Sequence, residues 1–258
     1  MRLADKAIIV TGSTTGIGRA IAARCVEEGA RVVVHGRDRK RGEEVVRSLG
    51  DRAVLAIEDL ADPDAPGRIV QAAVGAFGRL DGLVNNAAFV VRSDLRSTDA
   101  ALFDRVIATN LRAPFLLIKA ALPHLETAGG CVLNIGSLNA YSGESNLLAY
   151  SVSKGGLLTL SRNLASVLYE HHQVRLNHFN VGWVLTENEY RYKIEDGLAE
   201  DWPERVPAEH VPSGRMTRPE EVAGAAVYWL SDESRPFNGI VIDLTQFPFL
   251  GRIVTKDF

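Results

Sequence analysis

The sequence predicts an α/β protein: one domain built on a doubly wound, parallel β-sheet. Short apolar runs alternate with helical stretches from one end of the chain to the other, and this alternation produces parallel sheets covered by helices on both faces. The first apolar run opens into a glycine-rich turn and a helix, the order expected at a nucleotide-binding edge. At 258 residues the chain can enclose one large core, and no repeat, low-complexity run or flexible linker divides it.

Composition excludes several classes. Hydrophobic residues make up 46% and charged residues 24%, ordinary for a soluble globular protein. A net charge of -3 without a basic block argues against nucleic acid or an anionic membrane as partner. Cys25 and Cys131 have no spacing suited to a metal site or a disulfide framework. The start, Met1 to Lys6, lacks the apolar core of a signal peptide, and no later run is expected to span a membrane. A cytoplasmic protein is expected.

Ala7–Val10 reads as a buried strand, followed by the turn Thr11-Gly12-Ser13-Thr14-Thr15-Gly16-Ile17-Gly18. Gly12 permits the tight turn, while Gly16 and Gly18 allow backbone and helix to approach a pyrophosphate. Gly12, Ser13, Thr15, Gly16, Ile17 and Gly18 are therefore candidate cofactor contacts. The second strand, Arg31–His35, ends at Gly36-Arg37-Asp38. A carboxylate at that point would accept from a ribose 2′-hydroxyl; glycine with Arg37 leaves room and paired donors for a 2′-phosphate. NADP(H) is favoured on this ground, and NAD(H) stays open because Asp38 lies one residue further on.

The third strand, Ala53–Ile57, leads to Asp59 and Leu60, placed to meet the adenine. Leu80–Val84 is the fourth, ending in Asn85-Asn86-Ala87-Ala88, where Asn86 and Ala87 suit a cofactor wall. A long helix from Thr98 to about Leu125 should bend at Pro114 and carries Asn110 among apolar neighbours, so Asn110 needs a partner or a task. Cys131–Gly136 is a strand ending at Ser137, where an α/β sheet places its chemistry. If Val152–Leu168 is helical, Tyr150 and Lys154 share a face one turn apart, and the ammonium should pull the phenol down toward neutral pH. After the strand Val174–Asn180, residues 187–212 are rich in aromatics and prolines and read as a lid. A helix starting at Arg218-Pro219-Glu220-Glu221 and the strand Gly239–Leu244 complete the fold.

In order and spacing, Thr11-Gly12-x-x-x-Gly16-x-Gly18, Asn85-Asn86-Ala87, Asn110, Ser137 and Tyr150-x-x-x-Lys154 resemble the classical short-chain dehydrogenase/reductase family across nearly the whole chain. The resemblance implies a seven-stranded Rossmann sheet and hydride transfer between a nicotinamide and an alcohol or carbonyl. It implies Tyr150 as proton donor or acceptor and Lys154 as the group that lowers the phenol and holds the nicotinamide ribose. Ser137 would bind the reacting oxygen, and Asn110 would position a proton-relaying water. Gly182, Val184 and Thr186 would face the nicotinamide. Two departures stand out: Ala88 replaces the usual glycine after Asn-Asn-Ala, and Val181 replaces the usual proline before Gly182.

Several groups beside these positions can hydrogen-bond: Asn139, Glu144, Asn146, Trp183, Asn188 and Glu189. Such a lining suits a sugar, polyol or related hydroxy-acid, whose hydroxyls would otherwise leave buried polar groups unpaired. The alternatives are a 3-oxoacyl thioester reductase and a non-catalytic nucleotide sensor; retention of Asn110, Ser137, Tyr150 and Lys154 together favours an enzyme. The resemblance also implies a homotetramer, or a homodimer, joined through helices near 100–125 and 150–170 and through the last strand. The tail from residue 245, with Phe247-Pro248-Phe249-Leu250, is expected at a subunit contact, and it could reach a neighbouring active site.

Overall fold

Every one of the seven apolar runs becomes a strand of a single parallel sheet. A computed structural model describes residues 1–246 and gives the order β3-β2-β1-β4-β5-β6-β7. The strands are β1 Ala7–Val10, β2 Arg31–Gly36, β3 Ala53–Ile57, β4 Gly82–Asn85, β5 Cys131–Ser137, β6 Arg175–Val181 and β7 Val241–Leu244. The helices are α1 Gly16–Glu27, α2 Arg39–Leu49, α3 Ala65–Phe77, α4 Ala100–Ile107, α5 Ala113–Ala128, α6 Asn139–Ser142, α7 Leu148–His172, α8 Glu187–Glu195 and α9 Pro219–Leu230.

Side chains alternate across a strand, so one apolar run feeds two cores. Ile8, Val10, Val32, Val34, Val84, Leu133 and Phe179 pack with α1 and α9. Ile9, Val33, Leu83, Val132 and Leu176 pack with α3, α5 and α7 on the other face. Burial on both faces explains why these strands are continuously apolar rather than alternating. β1 pairs with β2 on one side and β4 on the other. The chain reverses its winding between them, and the crevice at such a switch point is where open α/β sheets bind ligands.

Two helices differ from expectation. Between α4 and α5 the chain makes a π-turn, Ala108–Arg112, with the Ala113 N–H reaching back to the Ala108 carbonyl. The irregularity thus lies just before Pro114 rather than at it: Pro114 has no N–H to close an α-turn onto the Asn110 carbonyl. Residues 100–128 are also long and apolar enough, by length and composition, to cross a membrane, which corrects the expectation that no run would be; 44% of the window is buried in this fold. Its inner face, with Leu117, Ile118, Ala121 and Leu125, belongs to the core. The other difference is α7, which begins at Leu148, so Tyr150 lies inside the helix rather than ahead of it.

The segment read as an irregular lid starts with a regular helix, α8. Thr186 caps it, its hydroxyl accepting from the Glu189 N–H at 3.1 Å. Thr186-Glu187-Asn188-Glu189 carries the S/T-x-x-E signature of a helix start, legible in the sequence. Beyond α8, Trp202, Val206, Val211 and Met216 form a small separate core. Tail residues 247–258, with the aromatic cluster, lie outside the described residues.

Candidate active site

The carboxyl ends of the strands open into one cleft of about 1140 Å³. Its floor at one end is the glycine-rich turn. Gly12 has φ +63°, and a Cβ there would stand 2.7 Å from the Ala87 Cα. A Cβ on Gly18 would lie 2.4 Å from both the Gly12 carbonyl oxygen and the Asn86 Nδ2. Asn86 Nδ2 donates to the Thr11 carbonyl at 2.8 Å, tying the end of β4 to the turn. The N-terminus of α1 is left pointing into the cleft, and the Gly16 N–H already engages an anion, donating to Glu187 Oε2 at 3.1 Å. The turn therefore fits a dinucleotide pyrophosphate.

Gly12, Thr15, Gly16, Ile17, Gly18, Gly36, Arg37, Asp59, Leu60, Asn86 and Ala87 line this end. Ser13 is a correction: it is fully buried, donating to the Val10 carbonyl and accepting from the His35 N–H, so it shapes the turn from behind. His35, which sequence reasoning passed over, is buried and joins three elements. Its Nδ1 accepts from Gly12 N–H at 3.1 Å while Nε2 meets the Glu58 carbonyl at 3.2 Å. Burial lowers its pKa to about 4, so the ring is neutral and its Nδ1 can accept. Thr14 and Arg41 also line the cleft beside Gly36 and Arg37. Asp38 is the N-cap of α2, its carboxylate accepting from Arg41 N–H at 3.1 Å. Asp59 is paired with Arg105 at 2.7 Å.

At the other end, Ser137 closes β5 and Tyr150 and Lys154 project from α7. Lys154 is buried; its Nζ donates to the Ile135 carbonyl at 2.7 Å and lies 5.7 Å from the centre of the Tyr150 ring. Burial lowers the ammonium to about 8. The phenol is not lowered in the protein alone, contrary to expectation. Burial pushes it up to about 12, a hydrogen bond with Ser137 opposes this, and the charges of Glu144 and Glu189 push it further up. Desolvation is the largest influence on the phenol, and the Lys154 Nζ is taken up by the Ile135 carbonyl.

Asn110 stands behind this set, 1% exposed. Its Oδ1 accepts from Phe89 N–H at 2.7 Å, and its Nδ2 donates to the Phe89 carbonyl at 3.1 Å and to Ser153 Oγ at 3.0 Å. The side chain thus pins the wall after β4 to α7 and does not line the cleft, and Phe89 and Ser153 are the partners that a buried asparagine needs.

Gly182, Val184 and Thr186 line the cleft between the two ends, as do Asn139, Glu144, Trp183 and Asn188 around Tyr150. Asn139 N–H donates to Ser137 Oγ at 3.2 Å, and its Nδ2 donates to Glu144 Oε2 at 3.1 Å. Trp183 stacks on Trp202 at 5.7 Å and donates from Nε1 to Glu189 Oε1 at 2.7 Å. Its ring is therefore already stacked on protein. Asn146 does not line the cleft; its carbonyl accepts from Ser93 N–H, so it belongs to the loop behind. Over the opening, α8 is tied at both ends: Asn188 Nδ2 donates to Thr15 Oγ1 at 3.3 Å, and Asp196 pairs with Arg92 of the opposite wall at 2.8 Å.

Known proteins resemble this chain over most of its length. A family model described as Enoyl-(Acyl carrier protein) reductase matches residues 12–244. L-rhamnose 1-dehydrogenase (NAD(P)(+)) of Azotobacter vinelandii is 33% identical over 248 residues, 93% of this chain and 94% of that protein. L-fucose dehydrogenase of Bos taurus is 34% identical over 237 residues, 90% of this chain and 85% of that protein. The crystal structure of 3-ketoacyl-(acyl-carrier-protein) reductase from Brucella melitensis complexed with NADH superposes with a TM-score of 0.82 at 26% identity, covering 93% of this chain and 97% of that one. The chain belongs to the classical short-chain dehydrogenase/reductase family and is a nicotinamide-dependent oxidoreductase acting on a secondary alcohol or the matching carbonyl.

Proposed function

We propose that the protein interconverts a secondary alcohol and a carbonyl on a sugar, polyol or related hydroxy-acid, with NADP(H) preferred over NAD(H). The observation that carries the substrate class is the hydrogen-bonding wall around Tyr150: Asn139 joined to Glu144, and Trp183 joined to Glu189. Such groups lose their water on closure and need hydroxyls to replace it. The sugar dehydrogenases among the relatives support the same class. NADP(H) is supported by Arg37, which makes no hydrogen bond or ion pair among the described residues, beside an Asp38 whose carboxylate is held as a helix cap.

The bound nicotinamide supplies hydride chemistry. Tyr150 exchanges the proton of the substrate oxygen, and Ser137 donates to that oxygen as charge develops. Lys154 holds the ribose and supplies the positive charge that stabilises tyrosinate once its surroundings are filled. Asn110 acts through its main-chain carbonyl, which Pro114 leaves without the usual α-helical donor, as the anchor for a relaying water.

A homotetramer is supported by an apolar groove of about 490 Å³ between α4, α5 and α7, lined by Ile107, Leu111, Phe115 and Leu160. Cys25 and Cys131 are both buried free thiols, in keeping with a reducing cytoplasm.

The test is nicotinamide absorbance with NADP⁺ and NAD⁺ across sugars, polyols and sugar acids, with the reverse assay on ketones and an oxoacyl thioester. The expected result is polyol oxidation, faster with NADP⁺, that is lost in Tyr150→Phe. Turnover of the thioester alone would replace this reading with that of a 3-oxoacyl thioester reductase.

A further inference from the structure

We propose that Glu144 and Glu189 make the substrate end of the cleft select by charge, accepting uncharged or ammonium-bearing hydroxyl compounds and rejecting carboxylates. This rests on the polyol reading above and narrows it, removing the hydroxy-acids.

The two carboxylates come from different walls and are each fixed. Glu144, on the loop between α6 and α7, is held by Asn139 Nδ2 at 3.1 Å; Asn139 in turn donates from its backbone to Ser137 at 3.2 Å. Glu189 is set by the first turn of α8: its own N–H bonds the Thr186 cap, and its Oε1 accepts from Trp183 at 2.7 Å. Trp183 cannot swing away easily, since Trp202 stacks on it and Lys193 Nζ lies 5.4 Å from its ring centre. Both carboxylates line the cleft with Tyr150, and both act electrostatically on its phenol.

The cations of this end are each engaged elsewhere, Lys154 by the Ile135 carbonyl at 2.7 Å. Arg92 is paired with Asp196 at 2.8 Å and Arg191 with Glu195 at 3.5 Å. Lys193 has no carboxylate partner among the described residues, but it is 6% exposed and sits against the indole of Trp183. A substrate hydroxyl can donate to either carboxylate, and an ammonium can do so more strongly. A substrate carboxylate brought beside Tyr150 meets like charge in a place where water is being excluded, which is costly.

The experiment uses a matched set, D-galactose, D-galacturonate and D-galactosamine, with wild type, Glu189→Gln and Glu144→Gln, fold being checked by cofactor binding. Wild type should turn over the neutral sugar and the amino sugar at least about 10-fold more efficiently, in kcat/KM, than the acid. Each Gln variant should lose about 3- to 10-fold on galactose while gaining on galacturonate, a crossing that a purely structural defect does not produce. The proposal is overturned if wild type prefers the acid, or if both Gln variants lower all three substrates alike. If no sugar of the set turns over, the polyol reading fails by itself. Cyclohexanol against cis-4-hydroxycyclohexanecarboxylate then tests charge selection on the same variants, with the same crossing expected and its absence decisive against the proposal.

Discussion

Glu187, the first residue of α8, places its Oε2 3.1 Å from the backbone nitrogen of Gly16, at the point where the N-terminus of α1 faces the cleft. It also pairs with Arg19. A carboxylate thus occupies a helix N-terminal donor suited to a pyrophosphate, and α8 is fastened to the glycine-rich turn. Removing this competitor should tighten dinucleotide binding. Glu187→Ala is expected to lower the Kd of NADP⁺ about 3- to 10-fold by fluorescence titration, while loosening α8 and raising KM for the alcohol. Unchanged cofactor affinity would show that the carboxylate does not compete.

The proposed preference for NADP(H) rests on the position of Arg37. It is exposed at the end of β2 and lines the cleft beside Gly36 and Thr14. Arg37→Ala should raise KM for NADP⁺ by about 10-fold or more, the scale of a lost charge-assisted contact, and leave NAD⁺ within about 2-fold. Equal losses with both cofactors would remove the 2′-phosphate from the argument.

The strands were legible because burial on both faces leaves continuous apolar runs, and β1 and β3 begin and end where the runs do. The cleft was legible because its glycines and its Tyr-x-x-x-Lys spacing are local patterns. What escaped was long-range. His35 is unremarkable in sequence, and its task depends on Gly12 and Glu58, which the fold brings together from 23 residues away on either side. Asn110 was noticed as out of place, yet its actual partners, Phe89 and Ser153, could be found only once the helices were packed. The phenol of Tyr150 departs from what its spacing suggests because spacing reports the ammonium and not the burial that raises its pKa.

Lys154 carries a cost in stability that can be measured apart from activity. Its folded pKa is lowered by burial from 10.5 to about 8. Above the unfolded value both states are neutral and the group is silent. Below it the unfolded chain binds the proton first, so the native state is penalised increasingly down to the folded value and constantly beneath it. The penalty is about 3 kcal/mol at most by the usual conversion of pKa shifts. Lys154→Met should therefore abolish turnover yet be at least as stable as wild type at pH 7. Urea midpoints should then show wild type gaining on the variant as pH rises from about 8 to 10.5. A constant difference over that window would contradict the buried, charged lysine.

Acid should attack the fold from inside. His35 is joined in this by His178 on β6, whose Nδ1 lies 2.8 Å from Ser161 Oγ and whose Nε2 lies 3.0 Å from Asn180 Oδ1. Burial lowers both rings from 6.5 to about 4. Above pH 6.5 neither state is protonated; between 6.5 and 4 the unfolded chain takes up protons that the native state refuses, so stability falls as pH falls and levels off below 4. Each ring contributes a loss of about 3 kcal/mol at most. The two differ in what they hold: protonating His35 takes away the acceptor of the Gly12 N–H and so disturbs the cofactor turn, whereas His178 sits away from it. Cofactor affinity of the folded protein should therefore hold down to the folded value and weaken as pH falls through about 4, in wild type and in His178→Gln alike. His35→Gln should bind less tightly at pH 7 and lose little further on acidification. Parallel pH slopes for all three proteins would separate His35 from the turn it contacts.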